Sequence, residues 1–133
     1  MPGKIRKSNA AGIMNSNVVT VKESENLENT VKIMAKKGIG SVIVTNNGEA
    51  SGIITESDII RILAKKGRHF FDLRAGEVMS KPLVTIIPST DIEKIEKEMK
   101  RRNLRHLAVV ASGNVVGIIT SKDVVDYLGK WKF

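Results

Sequence analysis

The chain has 133 residues, 41 % hydrophobic and 27 % charged, as expected of one compact domain or of two small lobes that pack together. It has no cysteine, which excludes disulfides and thiolate chemistry, and no apolar run long enough to span a bilayer. A formal charge of +8 and a pI of about 9.9 favour anionic partners, whether nucleotides, nucleic acid or an acidic membrane surface.

Residues 1–9 read as a basic flexible tail carrying Lys4, Arg6 and Lys7. No apolar signal core follows them, so a cytoplasmic location is expected. Ala10 to Met14 predict a short helix that opens the first copy of the repeat described below. Val18 to Val21 are a short β-branched run and predict a strand. After Ser24, Leu27, Val31 and Met34 recur at helical spacing, and Gly38 suits the residue just past the helix end. Ser41 to Thr45 and Ala50 to Ile54 predict two strands joined by the tight turn Asn47-Gly48, where both residues tolerate positive φ. A helix from about Ser57 to Lys66 follows, stopped by Gly67.

Residues 67–73 link this block to a second one in the same order. Leu83 to Ile86 predict a strand, and Ser89 or Thr90 a cap for a helix over Asp91 to Arg102. His106 to Val110 and Val115 to Ile119 predict a hairpin about Ser112-Gly113-Asn114, and Ser121 to Leu128 the last helix, capped by Gly129. Phe70, Phe71, Trp131 and Phe133 are expected to pack on the core.

The order repeats because the sequence does. Gly52-Ile53-Ile54-Thr55-Glu56-Ser57-Asp58 returns as Gly117-Ile118-Ile119-Thr120-Ser121-Lys122-Asp123, 65 positions on. At the same step Met14 answers Met79, Val19-Thr20 answers Val84-Thr85, Met34 answers Met99 and Gly48 answers Gly113. The step is longer than a solenoid repeat, so the chain holds two copies of one larger β-α-β-β-α unit, an α+β fold. The copies span 10–66 and 74–130, with a linker at 67–73 and a C-terminal tail at 131–133.

The recurring corner has a physical use. A buried strand that enters a helix through Thr-x-x-Asp sets a hydroxyl, backbone N–H groups and a carboxylate at a helix N-terminus, where anions are favoured. A carboxylate there can accept two hydrogen bonds from the vicinal diol of a ribose. The same residues also make an ordinary helix cap, with Thr55 or Thr120 at the N-cap and Asp58 or Asp123 at N3. Both readings stay open at this point.

Charge is spread evenly. Residues 1–66 hold ten Lys/Arg against six Asp/Glu, and residues 67–133 hold twelve against eight. The doublets Lys36-Lys37, Lys65-Lys66 and Arg101-Arg102 fall at predicted helix ends, where cations oppose the dipole, so nucleic-acid binding is the lesser alternative. A metal site is not expected, since His69 and His106 are the only histidines. No catalytic constellation, P-loop or G-x-G-x-x-G is present, so no enzyme activity and no catalytic cofactor are expected.

The corner in both copies, together with Met79-Ser80-Lys81-Pro82-Leu83-Val84-Thr85 and Asn103-Leu104-Arg105-His106-Leu107-Ala108-Val109-Val110, resembles the CBS domain, the module named for cystathionine β-synthase. Here it resembles a tandem pair, a Bateman module, over roughly residues 10–130. The resemblance implies two pseudo-twofold-related units packed through their sheets, an adenosyl ligand (AMP, ADP, ATP or S-adenosylmethionine) in clefts between copies, and a homodimer that regulates an unidentified effector protein. It further implies one site joining Thr55 and Asp58 with Val84, Arg105 and His106, with Lys122 in reach of the phosphate. The other joins Thr120 and Asp123 with Val19, Gly40 and Ser41. The basic pair Arg105-His106 is expected to make the first site the tighter one for phosphate, leaving the second to a less charged ligand or empty. A purely structural dimerisation module is the other alternative.

Overall fold

The computed structural model describes residues 8–130. The chain forms two compact units. One is Val19–Leu83; the other takes the chain up to Val18 and again from Val84.

In the first unit, β1 (Thr20–Lys22) leads to α2 (Leu27–Lys37), β2 (Ser41–Asn46), β3 (Glu49–Thr55) and α3 (Glu56–Lys66). A short helix, α1 (Ala10–Ile13), precedes β1 in the chain. A 3-10 turn over Gly67–Asp72 and the short helix α4 (Ala75–Val78) complete this unit. β1 runs parallel to β2, and β2 antiparallel to β3. The hairpin turns through Asn47 and Gly48 at φ 53° and 82°, as the Asn-Gly pair predicted. Asn26 caps α2 by accepting the Asn29 N–H at 2.7 Å, and Gly38 ends it in the left-handed region. Leu27, Met34, Val42, Val44 and Ile54 form the core with Phe70, Ala75 and Val78.

The other unit repeats this plan with β4 (Thr85–Ile86), α5 (Ile92–Arg102), β5 (His106–Ala111), β6 (Asn114–Thr120) and α6 (Ser121–Gly129), and adds α1. β4 pairs parallel with β5, and β5 antiparallel with β6. Ala10, Ile95, Leu107, Val109 and Ile119 are fully buried in its core.

The structure revises several details. The short helix at 75–78 lies within the block expected to open the second copy, and it packs in the first unit. Its counterpart α1 packs in the other unit, where the Ala10 and Ala11 N–H groups donate to Thr90 and Pro88 carbonyls at 2.8 and 2.9 Å. Asn15 then bridges to Ile118, as Ser80 bridges to Ile53. Each leading segment thus adds backbone pairing to an outer strand, β6 or β3, whose other side already faces the hairpin. A repeat in sequence cannot say which copy of that strand a segment joins. Asp91, not Ser89 or Thr90, caps α5, accepting the Lys94 N–H at 2.8 Å; Thr90 instead accepts the Ile87 N–H. Gly129 lies inside α6, and Lys130 ends it. The linker is an ordered 3-10 turn in which Phe70 is buried but Phe71 is 54 % exposed, stacking edge-on against Phe70. The tail residues Lys4, Arg6 and Lys7 and the aromatics Trp131 and Phe133 lie outside the described residues.

The recurrence of Gly and Met at one step has a steric cause. A Cβ on Gly52 would stand 2.7 Å from the Ser80 carbonyl oxygen and 2.8 Å from the Met79 sulfur, and one on Gly117 would collide with the Met14 side chain. Gly52→Ala should therefore lower the unfolding free energy by about 1–3 kcal/mol, the usual cost of overpacking. The loss should exceed that of Gly117→Ala, because a carbonyl cannot rotate aside as a methionine can. Urea denaturation checks both, and a Gly52→Ala curve matching wild type would contradict the fit.

Candidate functional site: two strand-to-helix corners

In each unit the predicted residues gather along one sheet edge, where two parallel strands begin and the antiparallel strand ends. The first unit brings together Val19, Gly40, Ser41, Thr55 and Asp58. Ser41 pairs with Thr55, the Val19 carbonyl accepts the Ile43 N–H at 2.9 Å, and the Gly40 carbonyl accepts the Glu56 N–H at 3.0 Å. The other unit brings together Val84, Arg105, His106, Thr120, Lys122 and Asp123 in the same way. His106 pairs with Thr120, the Val84 carbonyl accepts the Ala108 N–H at 3.2 Å, and the Arg105 carbonyl accepts the Ser121 N–H at 2.9 Å. Arg105 is exposed and His106 half-buried.

Both corners close as capping boxes. The Asp58 Oδ2 accepts the Thr55 N–H at 2.9 Å and the Thr55 hydroxyl at 3.1 Å, while the Thr55 Oγ1 accepts the Asp58 N–H at 3.3 Å. The matching distances for Thr120 and Asp123 are 2.8, 3.0 and 3.2 Å. The cap reading of these residues is thus realised in both copies. Each threonine proton is committed, and each carboxylate is locked with one oxygen inward and one outward.

The outward oxygens differ. The Asp58 Oδ1 accepts Nη2 of Arg61 at 2.7 Å and the Ser80 hydroxyl at 2.9 Å, and Asp58 is buried. Asp123 is half-buried, and its Oδ1 has no hydrogen-bond donor among the described residues. One repeat step explains this. Arg61 is replaced by Asp126, which takes the Lys122 ammonium at 2.7 Å, and Ser80 by Asn15, whose Oδ1 accepts the Asn17 N–H. The bond to Asp126 raises the Lys122 pKa above its ordinary value, so Lys122 is fully charged at neutral pH. Sequence reasoning singled out neither Arg61 nor Ser80. The Arg61/Asp126 mismatch was visible at the repeat step, but Ser80 reaches Asp58 only through the pairing of its segment with β3.

A groove of about 430 Å³ lies beside the first corner, lined by Met34, Ile39, Glu56, Ile59 and Ile60. Its counterpart of about 400 Å³ is lined by Met99, Leu104, Arg105, Ser121, Val124 and Val125. Among the described residues no cluster of His, Asp or Glu could hold a metal, and no helix is long and apolar enough to cross a membrane.

The family model for the CBS domain matches residues 10–65 and again 75–130. The chain belongs to the CBS domain family. It is 32 % identical over 127 residues to an uncharacterized protein of Methanocaldococcus jannaschii, covering 91 % of this chain and 43 % of that one. It is 27 % identical over 117 residues to the CBS domain-containing protein YhcV of Bacillus subtilis, covering 88 % and 83 %. The hexameric CBS-CP12 protein from bloom-forming cyanobacteria superposes with a TM-score of 0.83 at 31 % identity, over 94 % of this chain and 75 % of that one. The chain spans about half the length of several curated relatives that it matches. CBS pairs are generally regulatory modules that bind adenosyl ligands, and chains built only of this domain are typically not catalytic.

The caps can be tested apart from any ligand. Thr120→Val removes both hydroxyl bonds and should cost about 1 kcal/mol of stability, whereas Thr120→Ser should restore most of it. Thermal unfolding of the pair checks this, and equal melting temperatures for the Val and Ser variants would contradict the cap.

Proposed function

We propose that this chain is a regulatory module that binds an adenosyl ligand, AMP, ADP, ATP or S-adenosylmethionine, and passes the binding event to a partner protein as a change of conformation. One observation carries the reading. In both units a carboxylate locked at a helix N-terminus stands on the same sheet edge as Val19, Gly40 and Ser41, or Val84, Arg105 and His106. The carboxylate suits a ribose diol, and helix N–H groups with Arg105, His106 or Lys122 suit phosphate. The ligand is not turned over. Signalling requires that it bind one state of the protein more tightly than another.

Thermal shift with AMP, ADP, ATP and S-adenosylmethionine tests this. At least one should raise the melting temperature, by mass action on the folded state. No shift with any of them, in protein that unfolds cooperatively, would contradict the proposal. The doublets weigh against nucleic acid, since Lys36-Lys37, Lys65-Lys66 and Arg101-Arg102 all occupy last turns of helices.

Self-association belongs to the same proposal. Ile60 and Leu63 are 66 % and 44 % exposed, and their repeat equivalents Val125 and Leu128 are 65 % and 41 % exposed. The same apolar face thus occurs twice per chain, beside matching grooves, which suits a second copy as its cover. The hexameric CBS-CP12 relative supports assembly. Light scattering should give at least twice the 14.6 kDa of one chain, and Ile60→Asp with Val125→Asp should return the mass to one chain. An unchanged mass in the double variant would contradict this face as the contact.

A further inference from the structure

We propose that the two corners are unequal seats for a nucleoside diol: Asp123 receives it first, and Arg61 with Ser80 holds Asp58 back. This rests on the adenosyl-ligand reading and deepens it. In both capping boxes the inner oxygen already accepts an N–H and a hydroxyl, so a diol can approach only the outer oxygen. At Asp123 that oxygen has no donor among the described residues. The neighbouring ammonium of Lys122 is turned to Asp126, and Asn15 is turned to Asn17.

At Asp58 two internal donors already occupy the outer oxygen, one of them a guanidinium at 2.7 Å. A ribose must displace them, exchanging an ion pair with a guanidinium for hydrogen bonds from uncharged hydroxyls. Ser80 is also fixed by its backbone, since its N–H donates to the Ile53 carbonyl at 2.8 Å and its carbonyl accepts the Ile53 N–H at 3.1 Å. Filling the first corner therefore disturbs the segment that follows α4, whereas filling the second does not. Arg61 and Ser80 are positioning residues that set the affinity of one corner. The resemblance implied the reverse order by joining Arg105 and His106 to Asp58, whereas here the corners are ranked by their outer carboxylate oxygens alone.

Calorimetric titration of the full chain with AMP tests this. Asp123→Asn keeps an oxygen for the Thr120 N–H but turns the outer acceptor into an amide. It should weaken the tightest binding event about tenfold or more. The double variant Arg61→Ala, Ser80→Ala should tighten the second, weaker event, also by about tenfold, or make it appear where wild type shows one. Unchanged tight binding in Asp123→Asn would overturn the inference while leaving the adenosyl reading intact. So would a double variant whose second event is not strengthened. No heat with AMP, ATP or S-adenosylmethionine in wild type would overturn both.

Discussion

A carboxylate pinned at the junction of the last strand and last helix is the constraint on which each unit depends. Three hydrogen bonds between Thr55 and Asp58, or between Thr120 and Asp123, close that junction. The first of each set satisfies the threonine N–H, and the last satisfies an N–H of the first helical turn that has no partner inside the helix. The carbonyl of the residue before the neighbouring strand, Gly40 or Arg105, takes another. The chemistry of the corner is dual. The bonds that make it rigid use one carboxylate oxygen and leave the other to its surroundings, so the side chain that caps the helix keeps an oxygen for the proposed diol.

Those surroundings come partly from a segment distant in sequence. Each unit is completed by a short helix and a Met-Ser or Met-Asn pair from outside its own hairpin. The methionine lies over Gly52 or Gly117, where a side chain would collide with it. The next residue, Ser80 or Asn15, pairs with the adjoining strand residue Ile53 or Ile118. In one unit this delivers a hydroxyl to Asp58. In the other it delivers an amide that bonds its own turn. The repeat is therefore symmetric in backbone and asymmetric in hydrogen-bond supply, and the asymmetry sits at the groups suited to a ligand.

Much of this was legible in the chain. Helical spacing of Leu27, Val31 and Met34, the Asn47-Gly48 turn and the 65-residue step lead to the right elements in the right order, because each rests on local chemistry. The residues of each sheet edge were legible for the same reason, as strand ends fix them. Asp91 as a cap was missed because Ser89 and Thr90 offered similar side chains one and two positions away, and only backbone geometry separates them. Phe71 looked like core because burial of one aromatic in a Phe-Phe pair does not reveal which. The segment holding Ser80 was invisible as a partner of Asp58, 22 positions away, since its place depends on the backbone pairing of Ser80 with Ile53. Arg61 could have been found by comparing helix positions across the repeat, where Asp126 takes its place.

The family membership and the geometry lead to the same chemistry by separate routes. CBS pairs are generally regulatory binders of adenosyl ligands, and the proposed seat of the ribose is the outer carboxylate oxygen of the corner. A structure determined with AMP bound tests the union of the two most directly. If the corner is the diol seat, the ribose hydroxyls will lie within about 3 Å of the outer oxygen of Asp123. AMP bound with its ribose remote from both Asp123 and Asp58 would contradict it.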